Sequence, residues 1–128
     1  MFTKAERSSF KYWFAHWCSY QMTALNLKCW KFKYLFHDIE KPWLKLLWGD
    51  YNKVQQWHRR HNKHHLTYPK KSKIDWEAMV IDWECSRFTK TASPYTARQE
   101  YERQIKENPN MKLMLEYNVL PILDKLGL

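Results

Sequence analysis

Glycine is almost missing: Gly49 and Gly127 are the two in 128 residues. Rossmann folds, phosphate-cradling glycine loops and hairpin-rich β architectures all place glycine at positive φ, so this scarcity excludes them. Cysteine is sparse and odd in number, and Cys18, Cys29 and Cys85 form no CxxC pair. Neither a disulfide framework nor a cysteine zinc site is indicated, and the three read as reduced small residues. Long uncharged runs are lacking too. The longest, Tyr12 to Leu27, carries His16, Ser19, Gln21, Thr23 and Asn26 and is too short and too polar to cross a bilayer. Lys4, Glu6, Arg7 and Lys11 interrupt any signal-peptide core, so the expectation is a cytoplasmic protein that spans no membrane. No internal repeat or low-complexity segment appears.

Aromatic residues are abundant, with eight Trp, eight Tyr and six Phe, and hydrophobic residues make up 45% of the chain. That is too apolar for disorder, and at this length it predicts one domain. Lys and Arg number 22 against 13 Asp and Glu, a net charge of +9, which attracts phosphate-bearing partners without choosing between nucleotide, nucleic acid and anionic surface.

The apolar spacing predicts an all-α fold of about five to six helices. Thr3-Lys4-Ala5-Glu6 is a capping box that starts a helix to about Tyr20, burying Phe10, Trp13, Phe14 and Trp17. A second helix is expected from about Thr23 to Phe36, with Leu25, Cys29, Phe32 and Phe36 inward and Pro42 stopping the chain soon afterwards. A third runs from Leu44 to His65, kinked or split at Gly49-Asp50, with Leu44, Leu47, Trp48, Tyr51 and Val54 inward and His58, His61 and His65 continuing the stripe. After a basic loop, Tyr68 to Lys73, a fourth spans about Ile74 to Phe88 with Trp76, Met79, Val80 and Trp83 on one face. Ser93-Pro94 marks a loop, and the capping box Thr96-Ala97-Arg98-Gln99 opens a helix to about Glu107. A last helix starts near Asn110 with Met111, Met114, Leu115 and Tyr117, and Pro121 precedes a short apolar tail.

Five of the six histidines, His37, His58, His61, His64 and His65, lie close together in the chain. Imidazole and carboxylate together bind borderline divalent cations, and a helix presents positions i, i+3 and i+7 on one face. A solvated basic helix face is the competing explanation, because Arg59, Arg60 and Lys63 are interleaved.

His37-Asp38-Ile39-Glu40-Lys41, at the end of an apolar pattern, resembles the HD superfamily of metal-dependent phosphohydrolases. The resemblance implies an all-helical, HD-domain-like fold with His16, His37, Asp38 and Asp82 on a first metal ion. His58, His64 and His65 would hold a second ion or contact phosphoryl oxygens. The chain is more closely similar to a small family of phage and bacterial proteins with HD-x-x-K, His-x5-His-His and Asp-Trp motifs, here His37-Asp38 with Lys41, His58 with His64-His65, and Asp82-Trp83. His61 falls outside that pattern, and a phage-encoded member would work in its host's cytoplasm. Taken alone, Asp82 shares a helical face with Asp75 and Ser86 and reads as exposed to solvent.

The function expected from this resemblance is hydrolysis of a nucleotide or related phosphate ester with one or two divalent ions, Mn, Fe, Zn, Co or Ni. Asp38, Lys41 and Glu40 are the catalytic candidates, Lys41 to neutralise developing charge and Glu40 to orient water or serve as general base. Lys41, Arg59, Arg60 and Lys63 are the candidate phosphate clamps. The alternative is a non-catalytic basic protein that contacts nucleic acid through Arg59, Arg60, Lys63, Lys70, Lys71 and Lys73. The many tryptophans leave room for a homodimer interface.

Overall fold

The structure, a computed structural model, describes residues 1–66, 71–91 and 94–128. Tyr68, Pro69 and Lys70 of the basic loop, and Ser93 of the Ser93-Pro94 turn, lie outside the described residues. Seven α-helices, α1 (Phe10–Asn26), α2 (Glu40–Trp48), α3 (Tyr51–His61), α4 (Lys73–Ser86), α5 (Ala97–Glu107), α6 (Lys112–Asn118) and α7 (Leu120–Leu126), make an all-α protein, with no strand among the described residues. Among the described residues no helix is long and apolar enough to cross a membrane.

Helix α4 is the axis, buried on nearly every side from Asp75 to Ser86. Its Trp76, Met79 and Val80 pack against Ala97 and Tyr101 of α5, Leu115 of α6 and Ile122 and Leu123 of α7, the face expected from spacing. Its opposite face, with Ile81 and Cys85, packs against Tyr20 and Ala24 of α1 and against Tyr34. The Ser72–Asp75 capping box starts α4, and the Thr96–Gln99 box starts α5 as its sequence predicts.

The N-terminal third departs from expectation. Thr3 and Glu6 do bond, but they close only a 3-10 turn, Ala5–Ser8; Ser9 caps α1, accepting from the Tyr12 N–H at 3.1 Å. The buried face of α1 is Tyr12, His16, Tyr20 and Ala24, while Phe10 and Phe14 are 65% and 52% exposed. Rings with polar tips take the core side: the Tyr20 hydroxyl donates to the Ala78 carbonyl at 3.3 Å, and His16 Nε2 faces Asp82. The helix also runs past Tyr20 to Asn26, and the helix expected over 23–36 does not form, since no α-helix covers 27–36. Lys28 adopts φ 57°, and the Cys29 N–H reaches back to the Ala24 carbonyl at 3.0 Å, a left-handed helix stop. Only a 3-10 turn, Phe32–Phe36, follows, with Leu25, Phe32 and Phe36 exposed.

Pro42 does not stop the chain. It sits in the first turn of α2, where its missing N–H costs nothing. Gly49, at φ 72°, ends α2, and Asp50 caps α3, so the third predicted helix is split at Gly49-Asp50. Leu47 and Trp48 are exposed, whereas Val54 is buried. Helix α3 stops at His61, so His64 and His65 lie on the turn beyond it and the stripe His58, His61, His65 does not form. Beyond Pro121 the tail is helix α7, with Ile122 and Leu123 buried.

Candidate metal centre

Three carbonyls of the segment 34–38 accept from side chains of α1 that lie one turn apart. Trp13 Nε1–H donates to the Asp38 carbonyl (2.8 Å), Trp17 Nε1–H to Leu35 (2.9 Å) and Gln21 Nε2–H to Tyr34 (2.6 Å). Trp30 Nε1–H in turn donates to Gln21 Oε1 at 2.8 Å. This clamp holds the backbone so that Asp38, at φ 55°, turns its carboxylate inward. Tyr20 stacks on the His37 ring at 3.8 Å between centroids and fixes its plane.

Five elements converge on Asp38. Its Oδ1 lies 2.9 Å from His58 Nε2 of α3 and 3.1 Å from His64 Nε2 of the following turn. Its Oδ2 lies 3.4 Å from His37 Nε2, 3.8 Å from His16 Nε2 of α1 and 3.1 Å from Lys41 Nζ of α2. Asp82 Oδ1 of α4 is 2.9 Å from His16 Nε2 and 3.3 Å from His37 Nε2, and those two nitrogens are 3.2 Å apart. Asp82 is therefore buried among histidines, not exposed with Asp75 and Ser86, which are themselves buried. Two donor sets share Asp38: His16 and His37 with Asp38, and Asp38 with His58, His64 and His65, each within 4.8 Å.

Hydrogen bonding does not account for this packing. Asp38 Oδ1, Asp82 Oδ1, His58 Nε2, His64 Nε2 and His65 Nε2 are buried and have no hydrogen-bond partner. Buried polar atoms are nearly always paired, and an orphaned set of imidazole nitrogens and carboxylate oxygens aimed at one another is a cation-binding arrangement. The cluster can hold a divalent metal ion.

Protonation agrees with that use at His16, His64, His65, Asp38 and Asp82, since metal ligation needs neutral imidazole and ionised carboxylate. Burial lowers the His16 pKa against the pull of Asp82, and burial with the neighbouring His37 brings His64 down to about 4. His65 is likewise driven down, by burial and then by His64. Burial opposes ionisation of Asp38, yet His37, Lys41 and His58 hold its carboxyl well below the usual range. Asp82 is held low against burial by His16 and His37. For Lys41, burial is outweighed by Asp38, which raises its pKa.

Glu40 does not face free solvent as a waiting base. His58 Nδ1–H donates to Glu40 Oε1, and Asn62 Nδ2–H donates to the same oxygen at 2.7 Å. That fixes the His58 tautomer and turns Nε2 toward Asp38, the role of a carboxylate behind a ligating histidine. Burial disfavours His58 protonation, but Asp38 and Glu40 together raise its pKa. His61 is apart from the cluster, exposed and stacked on Trp57 at 4.4 Å.

A cavity of about 610 Å³ opens beside the cluster, where His16, Asp38 and Lys41 meet rings including Trp13, Trp43 and Tyr51. A second, of about 290 Å³, reaches His37 and His64 from the other side, with Lys63 on its wall. Arg59 and Arg60 are exposed on α3 and line neither cavity, so of the predicted clamps Lys41 alone stands at the larger one. Sequence reasoning passed over Trp13, Trp17 and Gln21, whose i, i+4, i+8 spacing was the available signal, and Asn62, one turn after His58. Compared with protein-family models, curated proteins and solved structures, the chain matches none.

Proposed function

We propose that the chain is a metal-dependent phosphohydrolase of the HD type that cleaves a phosphate ester of a nucleotide or a related small molecule. One observation carries the reading: His16, His37, Asp38, His58, His64 and Asp82 crowd their ligand atoms together, and the facing atoms of Asp38, His58, His64 and Asp82 have no hydrogen-bond partner. His16, His37, Asp38 and Asp82 would hold one ion, and His58, His64 and His65 a second, with Asp38 shared. A divalent cation held there supplies Lewis acidity and brings the pKa of water towards ~7. Histidine with carboxylate suits Mn, Fe, Zn, Co or Ni.

The protein's own residues do the rest. Glu40 and Asn62 hold His58 in the tautomer that leaves Nε2 free, and Tyr20 holds the His37 ring. Lys41, on the cavity wall and 3.1 Å from Asp38, supplies positive charge where a phosphoryl group would gain negative charge. The rings at the cavity offer stacking surfaces for the leaving group. In the net reaction water gives its oxygen to phosphorus and a proton to the departing alcohol as the ester P–O bond breaks.

The test is metal content by mass spectrometry on protein purified without a histidine tag, wild type beside Asp38→Ala, followed by phosphate release from nucleoside monophosphates. One or two ions per chain, lost in the variant together with chelator-sensitive hydrolysis, is the expected result. Hydrolysis undiminished in Asp38→Ala overturns it. So does absence of metal from both proteins after incubation with Mn and Zn.

A further inference from the structure

The N-terminal segment crosses to the chain just after α4. The Phe2 N–H donates to the Thr89 carbonyl at 2.8 Å and the Thr91 N–H to the Phe2 carbonyl at 3.2 Å. This seam places Arg7 on the wall of the larger cavity, beside Tyr12, His16, Asp38 and Lys41. Lys90 lies in the same seam, bridged to Phe2. Burial pushes its ammonium pKa down, Asp82 opposes this, and the charges of Lys41 and Arg7 push it down further. Neither the Arg7 nor the Lys90 side chain makes an ion pair or hydrogen bond among the described residues, and Arg7 Nε is buried.

Half-buried cations without a partner are costly, and the carboxylates of the site, Asp38 and Asp82, are already committed to the histidine cluster. Lys41 shares its charge with Asp38. The positive charge left over at this end of the cavity calls for an anion, and the guanidinium fork matches phosphate oxygens. Much of the remaining lining is apolar, with Phe10, Pro42, Trp43 and Leu46. A volume of about 610 Å³ is that of a site for one small ligand.

We propose that Arg7, backed by Lys90, is the anion-receiving pole of this cavity. It takes the non-bridging oxygens of a phosphomonoester next to Asp38, while the ring system of the ester lies against Trp13, Trp43 and Leu46. The inference deepens the hydrolase reading and rests on it for the reaction, but not for the anion site itself. The substrate class it names is a single phosphomonoester bearing a flat, weakly polar group.

The test titrates inorganic phosphate calorimetrically into the protein as purified, into Arg7→Gln and Lys90→Met, and into Lys106→Gln as a control on the exposed end of α5. Metal content and melting temperature are measured on each. Arg7→Gln should bind phosphate about ten- to hundredfold more weakly and Lys90→Met several-fold more weakly. Metal content should be unchanged, and melting without phosphate should be no lower than wild type, since an unpaired cation has been removed. A merely structural arginine would lower the melting temperature and spare phosphate affinity, and that pattern overturns the proposal. Equal phosphate affinity in wild type, Arg7→Gln and Lys90→Met also overturns it. Arg7-dependent phosphate binding in a protein that takes up no metal would support the anion site while the hydrolase reading fails.

Discussion

Asp38→Asn isolates the carboxylate that both donor sets share, because asparagine keeps the shape and removes the charge. Without metal the variant should already melt lower than wild type, since Lys41 Nζ, 3.1 Å from Asp38 Oδ2, loses its buried counter-charge. The informative quantity is therefore the rise in melting temperature that metal adds. At a free metal concentration of 100 times Kd, binding stabilises the folded state by about 2.7 kcal/mol. Asp38 oxygens face His58 and His64 on one side and His16 and His37 on the other, so the substitution weakens both sets. If affinity falls roughly a hundredfold, the same metal concentration equals the new Kd and the stabilisation drops to about 0.4 kcal/mol. For a chain of this size each kcal/mol moves the melting temperature by roughly 3–5 °C. Wild type should gain about 8–13 °C and the variant about 1–2 °C, read by circular dichroism with Mn or Zn at fixed pH. Equal gains would refute the assignment of Asp38 as a shared ligand.

Glu40→Ala should lower metal affinity by about ten- to hundredfold without removing a ligand, measured by competition with a coloured chelator; unchanged affinity would remove Glu40 from its role behind His58. Burial acts to raise the Glu77 pKa, but Lys31 and Tyr34 hold it below its ordinary 4.5. Its stabilisation is thus complete above about pH 4.5 and is lost as pH falls through the lower folded value, so Glu77→Gln should flatten the acid arm of a urea-stability profile. An unaltered arm would mean the Lys31–Glu77–Tyr34 contact contributes nothing. Leu115→Ala, in the fully buried core against α4, should cost about 2–5 kcal/mol by urea denaturation, and a loss under 1 kcal/mol would contradict the packing described.

The fold class, the α4 face with Trp76, Met79 and Val80, the Thr96–Gln99 cap and the break at Gly49-Asp50 were legible because each depends on residues near in sequence. The site residues His37, Asp38, His58, His64, His65 and Asp82 could be named from motif order, and the structure brings them together. Their partners were less legible for a physical reason. Trp13 and Trp17 look like core rings in any apolar count, yet their indole N–H groups are spent on carbonyls of the segment between α1 and α2. Likewise Tyr12, His16 and Tyr20 form the buried face of α1, although polarity ranks them below Phe10 and Phe14. Lys90 joins the N-terminal segment through the Phe2–Thr89 seam, a long-range pairing without local signature.

The left-handed backbone at Asp38 has a consequence for how this site can change over time. At φ 55° most side chains pay a steric cost, and only glycine, asparagine and aspartate enter that region readily. A glutamate there would bring its carboxylate on a strained backbone, so charge at this position comes from aspartate alone at modest cost. The open routes away from it lead to asparagine or glycine, which suit the backbone as well and dispense with a buried charge. A descendant that no longer needed the ion would be expected to drift along those routes, carrying replacements of Lys41 with it, because that lysine's counter-charge would be gone.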